Sequence, residues 1–320
     1  MTTVLYILLL IVCFVVLIKG ADFLVDGASS IAARLGVPTL VIGLTIVAFG
    51  TSCPEAGVSI VSSIDGANQL SYANVVGSNI FNLLVVLGFS ACLSAVPVSR
   101  DILFFDYPIC IACSALLVFF GMDKYISRAE GIIFLALIVL YCVYLIIRTK
   151  KNPEAEEEPI QEQKNQKLWV SFLKVILSIA AISLSAKGIV LSCTHIATIL
   201  GISDTIIGLT VVAIGTSLPE LATSIVAHKK GENAIAVGNV VGSNIFNILF
   251  VLGAAGAISP LEITRDNIVD GIFCLAVTAL CYIFVLTKKR VSRGEGISMM
   301  LIYVAYTVYA CLREFDMVSF

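Results

Sequence analysis

Long apolar runs separated by short polar turns dominate the chain. A run of about 20 apolar residues is long enough to cross a bilayer as a helix, and such runs fill most of the 320 residues. The pattern predicts an all-α membrane protein with ten transmembrane helices. The predicted spans are 4–33, 37–64, 69–95, 102–121, 129–148, 168–198, 203–227, 233–258, 268–287 and 296–312.

The composition agrees with this pattern. Hydrophobic residues make up 59% of the chain and charged residues 13%, whereas a soluble domain carries about 25% charged residues. No basic stripe or stacking platform is present, which argues against nucleic acid as a partner and leaves the lipid bilayer as the expected surroundings. The first apolar run precedes its first cation, Lys19. This is the reverse of a secretory signal, so the run predicts a first span.

The only long polar stretch, KKNPEAEEEPIQEQKNQK, separates the fifth span from the sixth. The chain therefore divides into a first five-span repeat at 1–148, an acidic cytoplasmic linker at 149–167 and a second five-span repeat at 168–320. The composition of the linker is typical of a flexible, solvated segment. Weak cation binding by its acidic run is the alternative interpretation.

The distribution of Lys and Arg predicts the orientation. If the N-terminus lies outside, thirteen of these residues fall in inner loops and four in outer ones. Because basic residues concentrate on the inner side of membrane proteins, both termini are predicted outside. We expect a multi-pass protein of the plasma (inner) membrane that functions as a monomer.

An internal repeat organises the two halves. Residues 43–88 align without gaps to residues 208–253, an offset of 165, and 28 of the 46 positions are identical. Each half holds an odd number of spans, so the second copy enters the membrane from the opposite side. Inverted-topology repeats of this kind place a substrate site near the bilayer midplane, on interrupted helices at the repeat interface.

The first repeated motif is GTSCPE at 50–55, which returns as GTSLPE at 215–220. Proline has no N–H and breaks the helical ladder, so the carbonyls around Ala48 to Thr51 and Ala213 to Thr216 are predicted to be released. Broken backbone at membrane depth is tolerated where it lines a cavity. Carbonyls, Thr and Ser hydroxyls and a carboxylate are the oxygen ligands that a hard cation binds.

Glu55 and Glu220 are the most informative residues of this motif. A charged side chain at the bilayer centre costs at least about 2.5 kcal/mol, so two repeated copies after a proline break predict cation ligands. The alternative is a protonated, hydrogen-bonded glutamate that packs helices together.

The second motif is NVVGSNIFN at 74–82, echoed at 239–247. Residues four apart share one helix face, and Gly77 and Gly242 permit close helix approach. We interpret Ser78, Asn82, Ser243 and Asn247 as ligands. For Asn74, Asn79, Asn239 and Asn244, a ligand and a polar contact between helices are equally supported.

The charges of the two glutamates limit which ions the site can bind together. Two ionised glutamates are neutralised by one divalent ion or by two monovalent ions, so both kinds of ion should compete and alternate. This favours exchange over a passive cation channel, which remains the remote alternative. No metalloprotease, nucleophile-elbow or P-loop motif is present, so no enzyme activity and no cofactor are expected. Cys110 and Cys113 form an isolated C-x-x-C, best interpreted as packing residues.

At these two motifs the chain resembles the calcium/cation antiporter superfamily, specifically its sodium/calcium exchanger branch of prokaryotic type. The paired G-T-S-x-P-E and G-S-N-I-F-N segments carry the resemblance over about 92 residues. It implies an antiporter for Ca²⁺ and Na⁺ with four cation positions between the second, third, seventh and eighth helices. It also implies alternating access by sliding of the first and sixth helices.

The resemblance further implies a ligand set, carried over position by position. From the first repeat it comprises the backbone oxygen of Ala48 with Thr51, Ser52, Glu55, Ser78 and Asn82; from the second, the backbone oxygen of Ala213 with Thr216, Ser217, Glu220, Ser243 and Asn247. Several relatives have Asp where this chain has Asn247, and the neutral amide makes potassium co-transport less expected. Ca²⁺/H⁺ antiport and K⁺-dependent Na⁺/Ca²⁺ exchange remain the alternatives.

Overall fold

The computed structural model describes residues 2–66, 68–151, 167–200 and 213–314, and these residues are nearly all helical. The helices of the N-terminal half are α1 (Thr2–Leu35), α2 (Thr39–Thr51), α3 (Cys53–Ile64), α4 (Leu70–Leu93), α5 (Ile102–Gly121) and α6 (Arg128–Lys151). Those of the C-terminal half are α7 (Leu168–Ile199), α8 (Ala213–Thr216), α9 (Leu218–Lys229), α10 (Asn233–Ile258), α11 (Arg265–Lys288) and α12 (Arg293–Glu314).

Among the described residues, eight single helices are long and apolar enough to cross a membrane, and the bent pair α2 and α3 makes a ninth crossing. Nine predicted spans are thus confirmed, with ends that agree within a few residues. Part of the predicted span 203–227 falls on residues 201–212, and most of the linker predicted at 149–167 falls on residues 152–166. Both stretches lie outside the described residues, so the count of ten stays a prediction.

The first helices of the two halves run in opposite directions. Tyr6 stacks on His195 with ring centroids 3.8 Å apart, and the hydroxyls of Ser30 and Ser171 lie 2.8 Å apart. As the residue number rises along α1, it falls along the part of α7 in contact, so the two helices are antiparallel. These two contacts are also exchanged by the 165-residue offset, since Tyr6 corresponds to Ser171 and Ser30 to His195. The inverted topology predicted from the repeat is therefore confirmed.

Short strands join the two halves at their periphery. Strand β1 (Val96–Pro97) pairs antiparallel with β4 (Arg290–Val291), and β2 (Tyr125–Ile126) pairs antiparallel with β3 (Leu261–Glu262). The repeat offset relates β1 to β3 and β2 to β4, so the two strand pairs are symmetry equivalents. The inverted repeat thus extends well beyond the 46 aligned residues.

Helices α4 and α10, which carry the second motif, are the most buried of the long helices. Gly242 lets α2 lie directly against α10, because a Cβ at this position would come within 2.9 Å of the Ala48 side chain. The predicted role of Gly242 in close approach is confirmed. The segment that the repeat places opposite Gly77, residues 208–212, lies outside the described residues.

Each of these two helices contains a wider, π-helical turn. The turns span Asn82–Leu87 and Asn247–Leu252, so each begins at the last asparagine of the motif. A π-helical turn inserts one extra residue into a helix and is frequent at functional sites. In both copies the motif asparagine at the start of the turn, Asn82 or Asn247, is fully buried.

Candidate functional site

The site lies where the two interrupted helices meet α4 and α10. In each copy one serine leaves the helical conformation: Ser52 has φ −84° and ψ 6°, and Ser217 has φ −94° and ψ 7°. Pro54 and Pro219 lie in the first turn of the next helix, where a missing N–H costs no hydrogen bond. The axes of α2 and α3 differ by 48° across the break. Both predicted interruptions are confirmed.

The two breaks differ in their backbone hydrogen bonds. Ser52 N–H donates to the carbonyl of Ala48 at 3.1 Å, whereas Ser217 N–H donates to the carbonyl of Ile214 at 3.1 Å. The prediction that proline releases the Ala48 carbonyl from the helix is therefore wrong, because the chain bends only after Ser52. This carbonyl has a second lone pair, which the Thr51 hydroxyl approaches at 3.3 Å and the Ser243 hydroxyl at 3.5 Å.

Each glutamate is held by the serine of the opposite copy. Ser217 Oγ donates to Glu55 Oε1 at 3.3 Å, and Ser52 Oγ donates to Glu220 Oε1 at 2.9 Å. Ser78 Oγ adds a second contact to Glu55 Oε1 at 3.4 Å. Both carboxyl groups are fully buried, and each binds the serine that lies three residues before the other glutamate. The structure thus brings the two glutamates together at the interface between the repeats.

Hydroxyl groups complete the surroundings of Glu220. The hydroxyls of Thr51 and Ser243 lie 3.4 Å apart, near the Glu220 carboxyl. Thr51 also donates to Asn239 Oδ1 at 3.0 Å. Both hydroxyls are buried, so these short polar side chains gather around one carboxylate away from water and lipid.

Thr216 and Ala213 lie on the short helix α8. Thr216 is half-buried at the residue before the break. Only the backbone of Ala213 is described, at the first residue of α8, and the residues before it, 201–212, lie outside the described part of the chain.

The second and third asparagines of each motif form hydrogen bonds across the repeat interface. Asn82 Nδ2 donates to Asn244 Oδ1 at 3.1 Å, and Asn247 Nδ2 donates to Asn79 Oδ1 at 3.1 Å. All four amides are buried. The structure therefore favours helix contact over direct ligation for Asn79 and Asn244, the two residues for which the sequence left both interpretations open.

Asn74 and Asn239 also hold helices together. Asn74 Nδ2 donates to Ser59 Oγ at 2.9 Å and to the backbone oxygen of Glu55 at 3.3 Å. Asn239 Nδ2 makes the equivalent bonds to Ser224 Oγ at 3.0 Å and to the backbone oxygen of Glu220 at 3.3 Å. These contacts fix the backbone at each glutamate.

Sequence reasoning missed Ser59 and Ser224 as residues of the site. Each stands four residues after its glutamate, on the same helix face, and is identical in the two copies. That repetition is the signal by which they could have been found.

Four buried acceptor oxygens of this cluster have no hydrogen-bond donor among the described residues. They are Oε2 of Glu55, Oε2 of Glu220, Oδ1 of Asn82 and Oδ1 of Asn247. A buried acceptor without a donor is costly, and native structures contain few of them. Two come from each copy, at equivalent positions. An oxygen-binding cation satisfies acceptors of this kind, and two carboxylates with two amide oxygens fit the donor set of Na⁺ or Ca²⁺.

Nitrogen and sulfur ligands play no part in this arrangement. Within the described residues, no group of three or more His, Cys, Asp or Glu side chains is placed to hold a metal ion. All ten cysteines are free thiols, including Cys110 and Cys113. The candidate site is therefore built from oxygen atoms.

The two copies differ in what covers the helix after the break. Helix α1 packs along α9, where Leu218, Ala222 and Val226 contact its buried apolar face. Within the described residues, α7 makes no comparable contact with α3, the equivalent of α9. The carboxylates are thus covered on the α9 side, while the α3 side is more open.

Three comparisons with known proteins agree with this site. The family model described as sodium/calcium exchanger protein matches residues 5–150 and 170–312. A curated relative, the putative antiporter CaxA of Alkalimonas amylolytica, is 37% identical over 92% of this chain and 95% of its own length. The sodium/calcium exchanger MaX1 of Methanosarcina acetivorans is 35% identical over 94% of this chain and 97% of its own length.

Solved structures show the same architecture. Structures of the sodium-calcium exchanger NCX_Mj superpose on this chain with TM-scores of 0.84 and 0.82, at 28% and 30% sequence identity. They cover 96% and 95% of this chain, and the matches span 99% and 98% of the solved chains. With the family model, the relatives and the fold in agreement, the chain is a membrane transporter, not an enzyme, and belongs to the sodium/calcium exchanger family of the calcium/cation antiporter superfamily.

Proposed function

We propose that this protein exchanges Ca²⁺ for Na⁺ across the membrane, with the ions held by Glu55 and Glu220. The observation that carries the proposal is the pair of buried carboxyls from opposite repeats, each with one oxygen that no described residue supplies with a hydrogen-bond donor. Two carboxylates carry the charge that one Ca²⁺ or two Na⁺ neutralise. The two ions therefore compete for the same oxygens, and competition of this kind is the basis of exchange.

The proposed ligands are the oxygens gathered around these carboxylates. Thr51, Ser52, Ser78, Ser217 and Ser243 have hydroxyls within hydrogen-bond distance of Glu55, Glu220 or each other. The remaining proposed ligands are Asn82, Asn247, Thr216 and the backbone oxygens of Ala48 and Ala213. No bound cofactor is required, because the gradient of one ion drives the movement of the other.

Sodium is the favoured counter-ion. The relative MaX1, which matches nearly all of this chain, is named a sodium/calcium exchanger. The mammalian relatives named sodium/potassium/calcium exchanger match a smaller share, 52% of the chain for the rat protein. Asn247 adds no charge to the site. The two glutamates neutralise two monovalent ions, so any further monovalent ion, K⁺ included, must bind to neutral oxygens. Protons and potassium are the two alternatives that the experiment below distinguishes.

Alternating access would carry the ions across, and the unequal covering of α3 and α9 supports it. Because the two copies are structurally equivalent, the opposite state follows by exchanging their surroundings: α7 then covers α3, and α1 leaves α9. Sliding of the α1–α7 pair along the rest of the protein accomplishes this exchange. If both termini lie outside, as the distribution of Lys and Arg predicts, α9 ends on the inner side and the present arrangement corresponds to an outward-facing state.

The repeat relates two sets of charged residues along α1 and α7, and the sign of each charge is reversed between the two copies. Lys230, which follows α9, lies 2.7 Å from Asp22 and also binds Asp26, both on α1. The repeat offset converts Asp22 into Lys187 and Lys230 into Asp65. Within the described residues, neither Asp65 nor Lys187 makes an ion pair. The Asp22–Lys230 pair thus stabilises one state, and a Lys187–Asp65 pair would stabilise the other.

The ammonium of Lys230 is suited to this role. Burial lowers its pKa, but hydrogen bonds to Asp22 and Asp26 outweigh that effect and raise its pKa above the ordinary value. Lys230 therefore remains charged at neutral pH, and the ion pair persists across the physiological range.

Transport by purified protein in lipid vesicles tests the proposal. Vesicles loaded with Na⁺ and diluted into Na⁺-free buffer should accumulate radiolabelled Ca²⁺, and collapse of the Na⁺ gradient with an ionophore should abolish the uptake. Imposed K⁺ and pH gradients, each applied alone, separate the two alternative counter-ions. Uptake driven only by the pH gradient would select Ca²⁺/H⁺ antiport, and Ca²⁺ currents without any countertransport would select a channel.

A further inference from the structure

An asparagine side chain can bind a cation only through its amide oxygen. The carboxamide has one acceptor oxygen and an NH₂ group with two donors, and a flip of the amide exchanges them. If Asn82 and Asn247 bind ions, as the proposed function requires, their orientation decides whether an oxygen or an NH₂ group faces the cation. The surrounding hydrogen bonds determine that orientation.

For Asn247 the orientation follows from a chain of three groups. The backbone carbonyl of Asn244 can only accept, so the Asn79 side chain must direct its Nδ2 toward it, and it does so at 3.2 Å. Asn79 Oδ1 then points the other way and accepts from Asn247 Nδ2 at 3.1 Å. The remaining atom of the Asn247 amide, Oδ1, is buried and has no donor in the described part of the chain.

The opposite copy repeats this chain. Asn244 Nδ2 donates to the backbone carbonyl of Asn79 at 3.2 Å, and Asn244 Oδ1 accepts from Asn82 Nδ2 at 3.1 Å. Asn82 Oδ1 is likewise buried, and none of the described residues donates to it. Each ligand amide is therefore oriented by an asparagine of the other repeat, and each orienting asparagine is anchored on a backbone carbonyl that cannot be reversed.

We propose that Asn79 and Asn244 are positioning residues that make Asn247 and Asn82 present an oxygen, not an NH₂ group, to the transported cation. A flip of Asn247 would bring its Oδ1 against Asn79 Oδ1 and leave two acceptors facing each other. The same flip would direct an N–H toward the cation and repel it. Calcium affinity therefore depends on Asn79 and Asn244 even though neither residue touches the ion.

A double-mutant cycle with Asn247→Asp tests this role. Both terminal atoms of a carboxylate are oxygens, so Asp at position 247 presents an oxygen to the cation in either orientation. The measurement is equilibrium binding of radiolabelled Ca²⁺ to purified protein. Asn79→Ala should weaken binding about tenfold, the size of one lost hydrogen bond in a buried site. In an Asn247→Asp background the same substitution should not weaken binding, because a carboxylate presents an oxygen to the cation in either orientation and Asn79 Oδ1 then faces only an acceptor.

The matched control uses the other ligand asparagine. Asn79→Ala retains the backbone carbonyl that anchors Asn244, so the orientation of Asn82 is unchanged. In an Asn82→Asp background, Asn79→Ala should therefore still weaken binding about tenfold. The reciprocal cycle, Asn244→Ala with Asn82→Asp, should show the same rescue and provides an independent test if Asn79→Ala protein does not fold.

The outcomes separate this proposal from the proposed function. Equal losses in all backgrounds would show that Asn79 only packs helices together, and unchanged affinity in Asn79→Ala would show that it does not orient Asn247; either result overturns the positioning role. Absence of Ca²⁺ binding by the wild-type protein would instead overturn the proposed function, on which this inference rests.

Discussion

The two helices that follow the breaks, α3 and α9, share a Pro-Glu pair in their first turn but have different surroundings. Ala222 and Val226 on α9 pack against α1, whereas the equivalent residues on α3, Gly57 and Val61, are exposed. The side chains next to them differ as well: Thr223 is fully buried, and its equivalent Val58 is 41% exposed. At the carboxylates themselves the two copies agree, since each glutamate accepts from the serine of the other.

This comparison separates the centre of the site, at Glu55 and Glu220, from the helices that surround it. The centre is nearly symmetric, because Ser52, Ser217, Glu55 and Glu220 contact one another in pairs across the interface. The periphery is asymmetric, because α1 lies along α9 while α7 does not lie along α3. A symmetric centre can remain intact while the helices around it exchange positions. The predictions below test first the symmetric centre and then the asymmetric periphery.

The largest expected effect is the loss of either carboxylate. Unit charges about 4 Å apart interact by about 4 kcal/mol at an effective dielectric constant of about 20, which corresponds to roughly a thousandfold in affinity. Glu55→Gln and Glu220→Gln should each abolish Na⁺-dependent Ca²⁺ uptake in vesicles. Glu262→Gln, on an exposed strand, is the control and should transport normally. Wild-type flux in either site variant would show that its carboxylate is dispensable.

A smaller effect is expected from the serines that bind these carboxylates. A hydrogen bond to a charged group contributes about 1.5–3 kcal/mol, so Ser52→Ala and Ser217→Ala should weaken Ca²⁺ binding by roughly tenfold to a hundredfold. The Ser52 bond is shorter, 2.9 Å against 3.3 Å, so its loss should be the greater.

Ser90→Ala is the matched control for the serine variants, because this buried hydroxyl binds only the Val86 carbonyl of its own helix. It should leave Ca²⁺ affinity unchanged. An equal loss in all three variants would indicate general destabilisation and contradict the cross-repeat contacts as the cause.

The asymmetric periphery is tested by thiol labelling of two equivalent positions. A Cβ at Gly57 meets no atom within 4 Å, whereas Ala222 packs against α1. In a background without reactive native cysteines, Gly57→Cys should react with a membrane-impermeant maleimide added outside, and Ala222→Cys should be protected. Equal reactivity of the two thiols would contradict the unequal covering of α3 and α9.

The smallest expected effect concerns the charged ends of α1 and α7. Partly exposed ion pairs contribute roughly 0.2–1 kcal/mol each, so Lys230→Met should shift the balance of states a few-fold toward the one in which α9 is uncovered. Labelling of Ala222→Cys should then become faster. Lys187→Met should act in the opposite direction, and Lys229→Met, an exposed neighbour, should do nothing. A shift of the same sign in both variants would refute the alternating ion pairs.

Much of the fold could be predicted from the sequence, because few backbone structures satisfy their own hydrogen bonds inside a membrane. Apolar run length located nine described spans within a few residues, and the 165-residue repeat predicted the opposite directions of α1 and α7. The repeat also singled out Glu55 and Glu220 as partners, since only equivalent positions of an inverted repeat meet on its axis.

What the sequence missed depends on contacts between distant residues. The pairing of Asp22 with Lys230 joins positions 208 residues apart, and no local sequence pattern predicts it. The Ala48 carbonyl was expected to be released, yet local bending keeps it bonded to Ser52. Nor does a repeat with 28 identical positions in 46 predict that α1 covers α9 while α3 is left more open.

Equilibrium binding of radiolabelled Ca²⁺ to the purified protein, titrated with Na⁺, tests the central claim most directly. If one set of oxygens around Glu55 and Glu220 serves both ions, Na⁺ must displace Ca²⁺ completely, with a sigmoidal dependence because more than one Na⁺ replaces each Ca²⁺. Both binding and displacement should disappear in Glu55→Gln and in Glu220→Gln. Calcium binding that is indifferent to Na⁺, or that survives in these variants, would contradict a shared site between the two repeats.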